Sequence, residues 1–183
     1  MESGKKWKSC LPYRNMIIGQ YDTTVNEKGR ASFPSKFRKE IGKKIVVAKW
    51  YEGCLVLVSE DKWIELIEKL IENPKVALDN VRETDRFIIG SAFEMELDSQ
   101  GRFVVPQILR EYAKLEDEIV FLGLLNRVEI WNKGLWKEKE KYLQEHAGEI
   151  IKDLVTGSAS KMEKADAPQG HFPFQGSPDR SPA

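Results

Sequence analysis

Two arginines, Arg30 and Arg102, hold the positions in this chain that most strongly suggest binding chemistry. Each directly follows a glycine and lies four residues after an Asn or Asp, namely Asn26 or Asp98. Because glycine accepts a positive φ at little cost, it can close a tight turn and leave the arginine at the tip of a rigid element. A guanidinium is always charged, and it can meet a phosphate or the O6/N7 edge of guanine through two hydrogen bonds. This placement predicts contact with an anionic polymer.

A structural role for the same arginines is the alternative interpretation. Each could pair with an acid inside the fold, such as Asp22 or Glu94, and spacing alone favours neither interpretation. Two observations favour binding: the arginine occurs at equivalent positions in two copies, and basic residues accumulate after the first. Those basic residues are Lys36, Arg38, Lys39, Lys43 and Lys44. Such a cluster is typical of a nucleic-acid interface.

The two arginines lie in two copies of one stretch, so the chain contains a duplicated unit. The first box, residues 26–38, reads Asn-Glu-Lys-Gly-Arg-Ala-Ser-Phe-Pro-Ser-Lys-Phe-Arg. The second box, residues 98–110, reads Asp-Ser-Gln-Gly-Arg-Phe-Val-Val-Pro-Gln-Ile-Leu-Arg and begins seventy-two residues later. The glycine, the arginine, the proline and the final arginine coincide. Two boxes at one offset predict two similar structural units.

The residues around the boxes predict the strands and helices that must position them. Alternating side chains predict a strand before each box, and short apolar runs predict a hairpin after it. The predicted strands are 17–25, 45–49 and 54–58 in the first unit, and 93–97, 119–122 and 127–131 in the second. Each box proline should precede a short helix, which in the first unit spans 35–41.

Longer helices are predicted to follow each hairpin. Ser59 is a good N-cap for a helix whose apolar face is Trp63, Leu66, Ile67, Leu70 and Ile71, and Asn73-Pro74 should end it. Asn80 is the predicted cap of a short helix that carries Arg82, Glu83 and Arg86. A further helix should begin near Trp136 and run to Leu154. The tryptophans at these helix starts are expected to belong to the core.

The predicted organisation is an α+β chain with two units and polar ends. Its parts are a basic flexible extension (1–15), a first repeat (16–74), a connector (75–87), a second repeat with a C-terminal helix (88–154) and a disordered tail (155–183). The total charge is zero, but residues 1–49 hold twelve lysines and arginines against four acids, a net charge of +8. No apolar run is long enough for a membrane span, so a cytoplasmic protein is expected.

Enzymatic chemistry is poorly supported by the residues present. The two histidines, His146 and His171, lie on a predicted helix and in the tail, so a shared catalytic site is not expected. Glu94 and Glu96 share a strand face, which is better explained as a solvated face than as an acid pair. Cys10 and Cys54 have no zinc or disulfide spacing. The sequence therefore predicts no enzyme activity, no cofactor, no metal and no small-molecule substrate.

The doubled motif Asp/Asn-x-x-Gly-Arg-x-x-x-Pro-x-x-x-Arg resembles that of the MraZ transcriptional regulators of bacteria, within the SpoVT-AbrB class. The resemblance covers about residues 16–145. It implies a mostly β fold with helices, a swapped-hairpin double-split β-barrel built from two tandem SpoVT-AbrB-like repeats of one chain. In the wider class two chains build one barrel. It also implies a homo-oligomeric ring that binds short, G-containing direct repeats in double-stranded promoter DNA, typically that of the cell-division and cell-wall operon.

By this resemblance the DNA-contacting arginines are Arg30 and Arg102. With the basic positions around them, the predicted DNA-binding residues are Lys28, Arg30, Lys36, Arg38, Arg102 and Arg110. The chain departs from the family pattern at Asn26, where Asp is usual, and in its second box. Residues 98–121 hold three basic residues and five acids, so the first box is expected to dominate DNA affinity. The sequence thus predicts a nucleoid-associated DNA-binding regulator, with an antitoxin-like protein-interaction module as the alternative.

Overall fold

The computed structural model describes residues 16–71 and 78–156, with side chains over 16–68 and 82–153. The strands are β1 (Ile17–Thr24), β2 (Arg30–Ser32), β3 (Lys44–Lys49), β4 (Leu55–Ser59), β5 (Phe93–Glu96), β6 (Arg102–Val104), β7 (Glu118–Leu125) and β8 (Val128–Asn132). The helices are α1 (Ser35–Ile41), α2 (Glu60–Ile71), α3 (Leu78–Ile88), α4 (Gln107–Tyr112) and α5 (Lys133–Thr156). Short 3-10 turns lie at Tyr51–Gly53 and Ile89–Ser91.

The two repeats exchange their first strands. One antiparallel sheet has the strand order β1-β7-β8-β4-β3-β5, and a second sheet pairs β2 with β6. Since β5 to β8 are the copies of β1 to β4, the six-stranded order reads the same from either edge. The first strand of each repeat therefore pairs with the third strand of the other, and the two boxes pair with each other.

The core between the boxes is aromatic. Phe33 is 1% exposed, and its ring centroid lies 6.3 Å from that of Phe103 and 5.5 Å from that of Phe121, both in edge-on contacts. Phe37 of α1 packs on the same ring at 6.0 Å and meets Tyr21 of β1 edge-on at 4.9 Å. Both repeats thus supply one core, and neither box can be buried without the other.

A second cluster covers the other face of the six-stranded sheet. It contains the buried Trp131 and Leu66, with Trp63 and Trp136 half-buried against it. The core role expected for these tryptophans is confirmed. Cys54 is also buried there, and burial raises the pKa of its thiol.

Most element predictions are confirmed within one or two residues. Larger differences occur in β7, predicted to end at 122 but ending at Leu125, and in α5, which begins at Lys133, three residues before Trp136. The helix expected to be capped by Asn80 begins earlier, at Leu78, so Asn80 lies inside α3 and the capping prediction is wrong. The C-terminal helix α5 ends at Thr156, two residues beyond Leu154, so it extends past the predicted repeat boundary.

Several predictions fall outside the described residues. They concern the extension at 1–15 with Cys10, the helix stop at Asn73-Pro74, and the tail with His171. The chain divides by contacts into a unit at 1–140 and another from Lys141 onward, where the Tyr142 and His146 rings stack at 4.3 Å. No helix within residues 16–71 and 78–156 is both long and apolar enough to cross a membrane.

Candidate nucleic-acid interface

Arg30 and Arg102 lie on one face of a two-stranded antiparallel ribbon made by β2 and β6. Arg30 is opposite Val104, and Arg102 is opposite Ser32. The residues between them, Ala31 and Phe103, pair with each other and are buried. Because side chains alternate along a strand, both arginines point away from the core, as diagonal neighbours across the ribbon.

Sequence reasoning gave no role to two other positions on this outer face. Ser32 and Val104 are exposed there, the latter at 47%. An apolar side chain can contact the methyl group of thymine, and a hydroxyl can bond to a base or a phosphate. The signal that could have found them is the period of two around each arginine, read together with the pairing of the two boxes.

Tight glycine turns at the two ends of the ribbon hold it in place. The Gly29 N–H donates to the Asn26 carbonyl at 2.7 Å, and the Gly101 N–H donates to the Asp98 carbonyl at 2.8 Å. Both glycines have φ near +76°, at +77° and +75°. The predicted turns are therefore confirmed, with glycine in the left-handed region that other residues avoid.

Each turn is also bonded to the opposite box. The N–H of Phe33 donates to the Gly101 carbonyl at 2.9 Å, and the N–H of Val105 donates to the Gly29 carbonyl at 2.8 Å. These bonds are equivalent in the two repeats. They fix the position of one turn relative to the other, and so they fix the spacing of the two arginines.

Arg38 and Arg110, both predicted DNA contacts, cross to the other repeat. Arg38 Nη1 donates to the Gln100 carbonyl at 2.8 Å. Arg110 donates from Nη1 to the Glu27 carbonyl at 3.4 Å and from Nε to the Val105 carbonyl at 3.2 Å. Both side chains are half-buried. The final arginine of each box thus supports the turn of the other box.

The two ribbon arginines differ in their side-chain partners. Arg102 Nε donates to Asp98 Oδ2 at 2.8 Å, an ion pair within the second box. Among the described side chains, Arg30 has no acid within ion-pairing distance. The alternative interpretation, an ion pair inside the fold, is therefore confirmed for Arg102 alone. The predicted partners Asp22 and Glu94 are wrong, because Asp22 pairs with Lys133 and Glu94 is exposed on β5.

The electrostatics of the second box follow from that pair. The backbone N–H of Arg102 is the main cause that lowers the pKa of Asp98, and the Arg102 side chain and the Gln100 N–H lower it further. Asp98 is therefore ionised at neutral pH. Its contribution to stability is present above the ordinary pKa of a carboxyl group and is lost as the pH falls through the lowered value.

The remaining predicted residues lie near the first box. Lys28 lies in the glycine turn of the first box, and Lys36 lies in the first helical turn of α1. Both side chains are exposed. The structure thus brings all six predicted residues to the paired boxes or to the short helices that follow them. Among the side chains described, no group of three or more His, Cys, Asp and Glu is arranged to hold a metal ion.

Comparison with known proteins matches both repeats to one family. Residues 16–86 and 88–153 each match the family described as "MraZ protein, putative antitoxin-like". A protein named Transcriptional regulator MraZ from Caldanaerobacter subterraneus subsp. tengcongensis is 42% identical over 139 residues, which cover 76% of this chain and 96% of that protein. Proteins of the same name from Caldicellulosiruptor saccharolyticus (42%, covering 81% and 98%) and Syntrophomonas wolfei (39%, covering 76% and 97%) are also similar.

Proposed function

The chain belongs to the MraZ family, and we propose that it regulates transcription by binding promoter DNA with the β2–β6 ribbon. The observation that carries this proposal is the outer face of the ribbon, where two arginines project from a core-anchored pair of strands. The major groove of B-DNA admits a two-stranded β-ribbon, and arginine is the side chain most often bonded to guanine there. The proposed target is therefore duplex DNA that presents guanine, and the family resemblance implies that the guanines lie in short direct repeats.

Each predicted residue has a distinct proposed role. Arg30 and Arg102 reach base edges or the adjacent phosphates. Lys28 and Lys36 supply salt-dependent attraction to the phosphate backbone. Arg38 and Arg110 add positive charge, but their main contribution is to hold the opposite turn. Arg38 donates to the Gln100 carbonyl and Arg110 to the Glu27 carbonyl, each in the turn of the other box, and Arg110 also donates to the Val105 carbonyl of its own box.

The proposed assembly is a homo-oligomer, with a ring as the arrangement implied by the family resemblance. One ribbon carries only two outward arginines, so several subunits must read spaced repeats together to reach useful specificity. The reciprocal exchange of strands supports a swapped-hairpin double-split barrel as the unit of this assembly. A cytoplasmic, nucleoid-associated regulator of the cell-division and cell-wall operon is the proposed biological setting.

Arg30→Ala is expected to weaken DNA binding by about 10- to 100-fold, as removal of a base-contacting arginine does. The measurement is a gel shift or anisotropy titration on duplex with spaced G-rich repeats, over a series of salt concentrations. Wild-type affinity should fall as salt rises. Arg82→Ala is the matched control, because it removes the same charge from an exposed position on α3, outside both boxes.

Unchanged binding by a folded Arg30→Ala protein would contradict the assigned role. Equal losses in Arg30→Ala and Arg82→Ala would indicate a general effect of charge and not readout by the ribbon. Wild-type protein that does not bind the repeat-bearing duplex at any salt concentration would favour the alternative, an antitoxin-like module that binds another protein.

A further inference from the structure

We propose that the first residue of each box, Asn26 or Asp98, sets how much of that box's arginine charge is available to DNA. Among the side chains described, Arg30 of the first box has no acidic partner, whereas Arg102 of the second box is partly neutralised by Asp98. This inference rests on the proposed function, and it adds two residues that tune the affinity without contacting the target.

The two residues have two contacts in common that hold the turn, and Asp98 Oδ1 accepts one further backbone N–H, that of Gln100, at 2.9 Å. Asn26 Oδ1 accepts the N–H of Arg30 at 2.8 Å, and Asp98 Oδ1 accepts the N–H of Arg102 at 2.8 Å. Each backbone carbonyl also receives the N–H of the box glycine. The turn therefore requires one side-chain oxygen at this position and does not require a negative charge.

Asn26 and Asp98 differ in the second polar atom of the side chain, the one that faces the arginine in the second box. Asp98 Oδ2 accepts from Arg102 Nε at 2.8 Å, with the two side chains 37% and 35% exposed. In Asn26 the equivalent atom is an amide nitrogen, which only donates, so it cannot hold a guanidinium. One atom thus determines whether the ribbon arginine is tethered beside a carboxylate.

A carboxylate beside the arginine opposes DNA binding through the arginine itself. The guanidinium must leave Asp98 before it can make two bonds to guanine or phosphate, and while the two are paired the carboxylate cancels part of the guanidinium charge. Arg30 has no such partner among the side chains described. Because an exposed ion pair is weak, the expected effect is several-fold and does not abolish binding.

The test exchanges the two residues. Asn26→Asp should weaken binding to the repeat-bearing duplex by about 3- to 10-fold, and Asp98→Asn should strengthen it by about the same factor. The slope of log affinity against log salt should fall by about one phosphate contact in the first variant and rise by about one in the second. Each substitution installs a residue that the other box already uses in the same turn, so both variants should fold.

A double-mutant cycle separates tethering from simple charge. In an Arg102→Ala background Asp98→Asn should have little effect, and in an Arg30→Ala background Asn26→Asp should have little effect. If either substitution shifts affinity equally with and without its arginine, the charge acts directly on DNA and the inference is overturned. If Asn26→Asp does not fold, the Asp98→Asn arm decides alone.

Failure of this inference is distinguishable from failure of the proposed function. If wild-type protein binds in a salt-dependent manner and Arg30→Ala weakens it, the proposed function stands. Unchanged affinity in Asn26→Asp and Asp98→Asn would then overturn only the role of these two residues. If wild-type protein does not bind in a salt-dependent manner, or if folded Arg30→Ala binds with unchanged affinity, the proposed function itself fails. This inference then fails with it.

Discussion

Phe33→Ala is expected to lower the free energy of unfolding by about 3–5 kcal/mol, the range for removing a buried phenylalanine. The ring is almost fully enclosed and contacts aromatic rings of both repeats, among them Phe103 of the second box and Phe121 of β7. Truncation leaves a cavity between the paired boxes that rigid strands on both sides cannot close. The loss should therefore also loosen the β2–β6 ribbon.

The measurement is denaturant unfolding at one protein concentration, since any oligomer makes apparent stability depend on concentration. Phe93→Ala is the matched control, because that ring lies on the edge strand β5 at 38% exposure. It should cost less than about 1 kcal/mol. Similar losses in the two variants would show that the interface between the boxes is not the centre of the fold.

Gly101→Ala should destabilise the protein by about 2–5 kcal/mol, from two separate causes. A positive φ costs a non-glycine residue about 1–2 kcal/mol, and Gly101 has φ +75°. A Cβ there would also overlap Cδ and Cζ of Arg38, the side chain that crosses from the first box, and overpacking adds about 1–3 kcal/mol. Because the turn supports Arg102, DNA affinity should fall as well.

Gly53→Ala separates the two causes. Gly53 has φ +77°, and a Cβ there meets no atom within 4 Å, so only the backbone cost applies. Thermal or denaturant unfolding should show a clearly smaller loss for Gly53→Ala than for Gly101→Ala. Arg38→Ala combined with Gly101→Ala should recover part of the crowding cost. Equal losses at the two glycines would contradict the crowding by Arg38.

The local structure was largely predictable from the sequence because its causes are local. Alternation identified the strand before each box, and each box glycine, three residues after Asn26 or Asp98, is explained by turn chemistry alone. The duplicated boxes identified Arg30 and Arg102 by position. These signals come from neighbouring residues, which a single sequence shows directly.

The remaining structure depends on contacts between distant residues. Arg38 lies 62 positions from Gln100, and Arg110 lies 83 positions from Glu27, so spacing could not show that each supports the other box. Their positive charge suggested DNA, although their guanidinium groups are bonded inside the fold. By contrast, the pair of Asp98 with Arg102 spans only four residues. A pair at this short spacing could have been predicted from the sequence.

The exchange of strands between repeats has an evolutionary consequence. If the two halves were separate identical chains, every substitution would appear in both halves at once, and the two ribbon arginines would always have the same neighbour. Covalent fusion of the copies removes that constraint. Asn26 and Asp98 are such a divergence, since they occupy the same place in the two boxes and, among the described side chains, only Arg102 is paired with an acid. Fusion of the two repeats in one chain thus allows the two ribbon arginines to have different neighbours on a nearly symmetric pair of strands.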